Sequence, residues 1–140
     1  MTHLASNKIK LTLLLLLTLC ISGCFNSDKK DISALLDARD SAVTKHDILA
    51  YHALLLPDYH DKKKTEAMLV IEMNALFKQF DRIIMTTDSR IIRMQGENQA
   101  LCEQNYQLRV LSDNTWRELF QREQISVTRT PSGWKLSGGL

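Results

Sequence analysis

Cys102, Gln104 and Tyr106 occupy alternate positions of one stretch. On an extended strand this spacing puts a thiol, a carboxamide and a phenol on the same face. Such a trio can hydrogen-bond a ligand, and with a carboxylate nearby it has the parts for proton transfer: a base beside a carbonyl, and Tyr106 as donor to the enolate oxygen. The acids available as base are Asp37, Asp40, Asp88, Glu118 and Glu123. Each is equally read as a solvated or salt-bridged surface group, the default for carboxylates. Glu103 has the opposite parity to Cys102 and should face solvent. No histidine lies beyond residue 60, so the second half of the chain offers no imidazole base. The constellation is incomplete, and no catalytic residue is assigned.

Tyr51 and Tyr59 join Tyr106 as the polar rim of an apolar pocket, although tyrosines often bury the ring and tie the hydroxyl to a structural partner. The candidate pocket is Tyr51, Tyr59, Cys102, Gln104, Tyr106, Trp116 and Phe120. Trp116, Phe120 and Trp134 are also large enough to fill such a cavity. His52, Asp58, His60 and Asp61 gather within ten residues, but a mid-helix histidine followed by turn residues matches no compact zinc motif. No metal and no cofactor are expected. His46, near a helix end, suits the negative pole of the helix dipole.

These side chains need elements to hold them. Ile32, Leu35, Leu36, Ala42 and Val43 fall at helical spacing after Asp31, a suitable N-cap. Asp47 caps a second helix through Leu55, which must stop before Pro57. Thr65 caps a third, with the stripe Leu69, Met73, Leu76, Phe77 and Phe80; Lys62 to Lys64 belong to the loop before it, away from the positive dipole end. From Arg82 onward the pattern becomes β: Ile83–Met94, Ala100–Leu111, Trp116–Thr128 and Trp134–Leu136, separated by turns, form an antiparallel meander. Apolar parity changes between Phe120 and Ile125, which predicts a bulge near Gln121 to Glu123. The class is α+β, three N-terminal helices packed on a curved antiparallel meander.

This order, with the short helix opening at Asp47-Ile48-Leu49, the Pro57-Asp58-Tyr59 turn and the final hairpin from Ile125 to Leu136 containing Gly133-Trp134-Lys135-Leu136, resembles the nuclear transport factor 2-like (SnoaL-like) cone fold. The resemblance implies a sheet wrapped around helices to make an apolar cavity. Some members use that cavity for catalysis, as ketosteroid isomerase, scytalone dehydratase and polyketide cyclases do; many others bind or assemble, often as dimers through the sheet. Fold analogy does not choose among these. Two readings follow: a noncatalytic module holding a small apolar ligand or a partner protein, with a homodimer possible, and a proton-transfer enzyme acting on a small hydrophobic substrate.

The first 24 residues carry a separate message. Lys8 and Lys10 precede an apolar run from Leu11 to Leu19, and Ile21-Ser22-Gly23-Cys24 follows. The run is too short for a transmembrane helix, which needs about 20 apolar residues. The segment resembles the export signal and lipobox of bacterial lipoproteins, which implies cleavage between Gly23 and Cys24 and acylation of Cys24. Multiple acyl chains make the membrane a stable partner. Phe25 rather than Asp after the cysteine implies an outer-membrane address facing the periplasm. The expected organisation is residues 1–23 as leader, 24–30 as lipidated tether and 31–140 as the domain.

The leader holds Lys8 and Lys10 and no acid, so the remaining 117 residues balance 16 basic against 16 acidic side chains. That neutrality argues against nucleic acid as a partner. With Cys20 removed and Cys24 acylated, Cys102 is the lone free thiol, best placed in the core.

Overall fold

The computed structural model describes residues 26–140. The leader, the cleavage point and Cys24 lie outside the described residues. No helix among the described residues is long and apolar enough to cross a membrane.

Helix α1 covers residues 26–44 and buries Ile32, Leu35, Leu36, Arg39, Ala42 and Val43. Asp31 is inside this helix rather than its N-cap, and residues 26–30, read from sequence as tether, are helical. The physical reason is Asp28, which is buried and pairs with Arg129 from the sheet, so that the first turn is held by packing rather than by a cap. The turn after α1 puts His46 at φ 54°. Its ring stacks on Phe77 at 4.9 Å, joining α1 to the third helix.

Helix α2 (Ile48–Leu54) starts where expected, with the Asp47 side chain accepting from the Ala50 N–H. A small hairpin of β1 (His60–Asp61) and β2 (Lys64–Thr65) follows; its turn holds Lys62 and Lys63 in the left-handed region. Helix α3 (Glu66–Gln79) begins at Thr65, whose hydroxyl accepts from the Met68 N–H.

The sheet is a four-stranded antiparallel meander of β3 (Arg82–Met94), β4 (Gln99–Ser112), β5 (Thr115–Thr130) and β6 (Gly133–Gly138). The expected bulge in β5 is absent: its pairing with β4 runs in one register from Gln99 opposite Thr128 to Ser112 opposite Thr115. The irregularity in the β3–β4 pairing lies in β3, where Asp88 is skipped between Thr87 and Ser89, and a second one skips Ser137 of β6 between Leu136 and Gly138. The shift in β3 moves the inner-facing set from Ile83, Met85 and Thr87 to Arg90, Ile92 and Met94. Because β5 is unbroken, Trp116 and Phe120 stay on the outer face while Ile125 and Val127 point inward.

The core fills the space between α1, α2 and the inner face, with Ile32, Leu36, Tyr51, Leu55, Ile83, Cys102, Ile125, Val127 and Leu136 almost wholly enclosed. Leu56 donates its N–H to the Leu136 carbonyl, tying the segment after α2 to the last strand. Trp134 is buried under the guanidinium of Arg129, the same group that holds Asp28.

Candidate functional site

Arg39, with Asp28, is one of two charges on the buried stripe of α1, and it faces Glu123 where β5 leaves the core. Its two terminal nitrogens donate to Glu123 Oε1 and Oε2 at 2.6 and 3.0 Å. This is a bidentate pair with only 8% and 13% of the side chains exposed. Gln104, opposite Glu123 in the sheet, donates from Nε2 to Oε1 at 2.6 Å, and its own Oε1 accepts from Arg90 Nε at 2.9 Å. Arg90 in turn reaches the Ser33 carbonyl and hydroxyl and the exposed Asp37 of α1. A continuous polar chain thus crosses the boundary between helix and sheet, which is how buried charge is tolerated.

Beside this chain opens a cleft of about 440 Å³. Its polar floor is Arg39, Glu123, Tyr51 and Tyr106, and its apolar wall is Leu69, Met73 and Leu76, one face of α3. The Lys64–Glu72 pair, 2.9 Å apart, and Leu140 complete the lining. Burial holds the Tyr51 and Tyr106 hydroxyls above their ordinary range, so both are neutral donors at physiological pH. A second cleft of about 390 Å³, walled by Leu76, Phe80, Leu108, Val110 and Leu119, continues the apolar surface along α3.

Of the expected pocket residues, Tyr51 and Tyr106 line the cleft together. Gln104 braces the floor from behind. Tyr59 is buried and accepts from the Leu140 N–H at 3.0 Å, fixing a segment that lines the cleft without lining it itself. Cys102 lies in the core rather than in the cleft lining, and burial pushes its thiol up to about 11. Trp116 and Phe120 are outside the cleft because the unbroken β5 register turns them outward. There Arg82 and Arg109 cover the Trp116 ring, and Phe120 is 67% exposed.

The acids also divide. Glu118 pairs with Arg109 on the outer face, Asp88 is exposed at the β3 bulge, and Glu103 faces outward between Arg93 and Arg122. Asp40 accepts from the Thr87 hydroxyl at 2.6 Å, and its Oδ1 is buried with no hydrogen-bond partner among the described residues. Burial raises its carboxyl above the usual range, against the pull of Thr87 and Arg39. His52 goes to Glu66 at 2.5 Å and Asp61 to the Gly139 N–H at 2.8 Å, so the histidine and aspartate group of the second helix and turn is spread over separate partners. No sequence motif singles out Arg39; its signal is a basic residue on the apolar stripe between Leu36 and Val43.

No family model and no curated protein matches this sequence. Solved structures do match by shape. A nuclear transport factor 2-like superfamily protein from Salmonella enterica superposes with a TM-score of 0.72 at 13% identity, covering 81% of this chain and 88% of the other. A candidate aromatic ring hydroxylase from Novosphingobium aromaticivorans gives 0.73 at 16%, covering 81% and 94%. A candidate dehydratase of the same superfamily from Streptomyces avermitilis gives 0.70 at 13%, again covering 81% and 94%. At such identities the likeness carries the fold and no residue roles. Three helices against a curved four-stranded antiparallel sheet, with a cleft between the third helix and the inner face, give this chain the nuclear transport factor 2-like cone fold.

Proposed function

We propose that the cone holds a small, largely apolar molecule without transforming it, its polar end against Tyr51 and Tyr106 and its apolar body along Leu69, Met73 and Leu76. The observation that carries this reading is the state of Glu123. Both its oxygens are occupied by Arg39 and Gln104, so the carboxylate at the cleft floor is held as part of the structure rather than turned toward a ligand. Glu72, the other side-chain carboxylate of the lining, is half exposed and paired with Lys64. A floor whose charges are already paired and whose open donors are two phenols suits an alcohol, ester or amide end better than an ionised one.

The proton-transfer reading, with Tyr106 as donor, has one observation in its favour: Asp40 carries an unpartnered oxygen and a raised pKa. Asp40 bonds to Thr87 and is not among the residues that line the cleft. We further propose that the domain is delivered to the envelope and anchored in the outer membrane, facing the periplasm, by acylated Cys24. Metabolic labelling with a radioactive fatty acid should mark the wild-type chain and leave Cys24→Ser unlabelled.

Native mass spectrometry of the gently purified chain tests the binding role. A retained small molecule, lost on filling the cleft with Met73→Trp, supports it. An unaltered mass in both proteins, or a bound molecule indifferent to Met73→Trp, removes the cleft from the function.

A further inference from the structure

Strand β5 is sixteen residues long, but β6 pairs only with Ser126 to Thr130. The backbone of Gly139 abuts the Gln124 carbonyl, so the edge of β5 from Thr115 to Glu123 has no strand beside it among the described residues. Residues Thr115 to Arg122 are exposed on both faces. A long free edge carrying Leu119 and Phe120 is a template for another strand.

The sequence of this edge says which strand. Read from Arg117 to Glu123 it is Arg, Glu, Leu, Phe, Gln, Arg, Glu. Laid antiparallel against itself with Phe120 opposite Phe120, Arg117 meets Glu123 and Glu118 meets Arg122, and two-fold symmetry makes each pair twice. A slip of one residue either way sets Arg117 against Arg122, or Glu118 against Glu123. Like charges directly opposite are destabilising, and such a slip also turns every side chain to the wrong face. The pairing keeps Glu118, Phe120 and Arg122 together on the outer face, where Glu118 and Arg122 already touch Arg109 and Glu103 of their own copy and can share a further partner. We propose that two copies of this chain join their sheets edge to edge along β5, antiparallel, with Phe120 on the two-fold axis. The surface excludes partners of unrelated charge pattern by the same rule that selects its own copy. On the inner face, Arg117 of the second copy comes beside Glu123, at the rim of the cleft.

Cysteine trapping in the full chain reads the register. Opposed Cα atoms in an antiparallel pair are about 5 Å apart, within disulfide reach, whereas two Trp116 positions would be separated by roughly 27 Å. Phe120→Cys should give a covalent dimer under mild oxidation and Trp116→Cys should not. The wild-type chain reports any bridge through its own cysteines, Cys20, Cys24 or the buried Cys102. In sedimentation, Glu118→Arg and Arg122→Glu should each weaken the dimer about tenfold, two pairs being reversed at once, and the double variant should return to within about threefold of wild type. Thermal melts of the same variants separate loss of association from loss of fold. A wild-type chain that stays monomeric, a dimer indifferent to both single reversals, or equal trapping at positions 116 and 120 overturns the proposal.

Discussion

Ile125 and Val127 are almost completely enclosed, whereas Leu119, on the same face of the same strand, is 51% exposed. Both halves of β5 alternate with the same period and pair with β4 in the same register. The difference is what lies over them. Helices α1 and α2 cover the far half and exclude water, while the near half overhangs the helical layer. Glu123 stands at the frontier, and the chain from Arg39 through Gln104 to Arg90 closes the dry side with paired charge. In this fold the cleft begins where helical cover ends, and the sheet continues past it unchanged.

Removing one partner of the frontier pair should have the largest effect. Glu123→Ala leaves the Arg39 guanidinium buried without its counter-charge and should destabilise by about 3–5 kcal/mol in urea unfolding. Replacing both at once, Arg39→Met with Glu123→Leu, should recover most of that loss, and failure to recover would mean the pair is not the seal. Next comes the contrast along β5 itself. Ile125→Ala should lose about 3 kcal/mol and Leu119→Ala less than about 0.5 kcal/mol in the same assay; similar values would erase the distinction between the halves.

Alkaline pH probes the closed side through its neutral groups. Burial raises the Tyr51 phenol above its ordinary 10.0 and the Cys102 thiol from 9.0 to about 11. A folded-state pKa above the unfolded one means stability fully present below the unfolded pKa and lost as pH rises through the folded one. Urea midpoints should therefore fall from about pH 9 upward, and Tyr51→Phe and Cys102→Ala should each flatten the fall. The smallest effect belongs to a local feature away from the frontier: Asp47→Ala, which removes the α2 cap, should reduce stability by about 1 kcal/mol.

Features set by near neighbours in the chain were legible in the sequence. Asp47 and Thr65 cap the helices they were expected to cap, because a side-chain oxygen three residues before an N–H is a local matter. The meander and its turns followed from period-two runs broken by Gly, Asn and Asp. The bulge was assigned to the wrong strand for a physical reason. In β3 the adjacent pairs Ile83-Ile84 and Ile91-Ile92 occupy both faces and hide the parity change at Asp88, while in β5 Trp116 and Phe120 imitate one by being apolar and outward. Hydrophobicity alone points Trp116 and Phe120 into the pocket, because it does not distinguish the inner face of the strand from the outer one. Cys102 was right as core and wrong as pocket, since the inner face passes from core to cleft between Cys102 and Tyr106. Arg39 was legible only as an exception to the stripe of α1, and its partner is 84 residues away.

The central claim is that the open side binds and the closed side does not. Methyl NMR of the purified chain, titrated with a medium-chain alcohol as probe, separates them in one experiment. The result expected is saturable shifts at Leu69, Met73 and Leu76, none at Ile32, Ile125 or Val127, and probe signals that remain chemically unchanged. Shifts spread through the core, no shifts at the α3 wall, or conversion of the probe would contradict it.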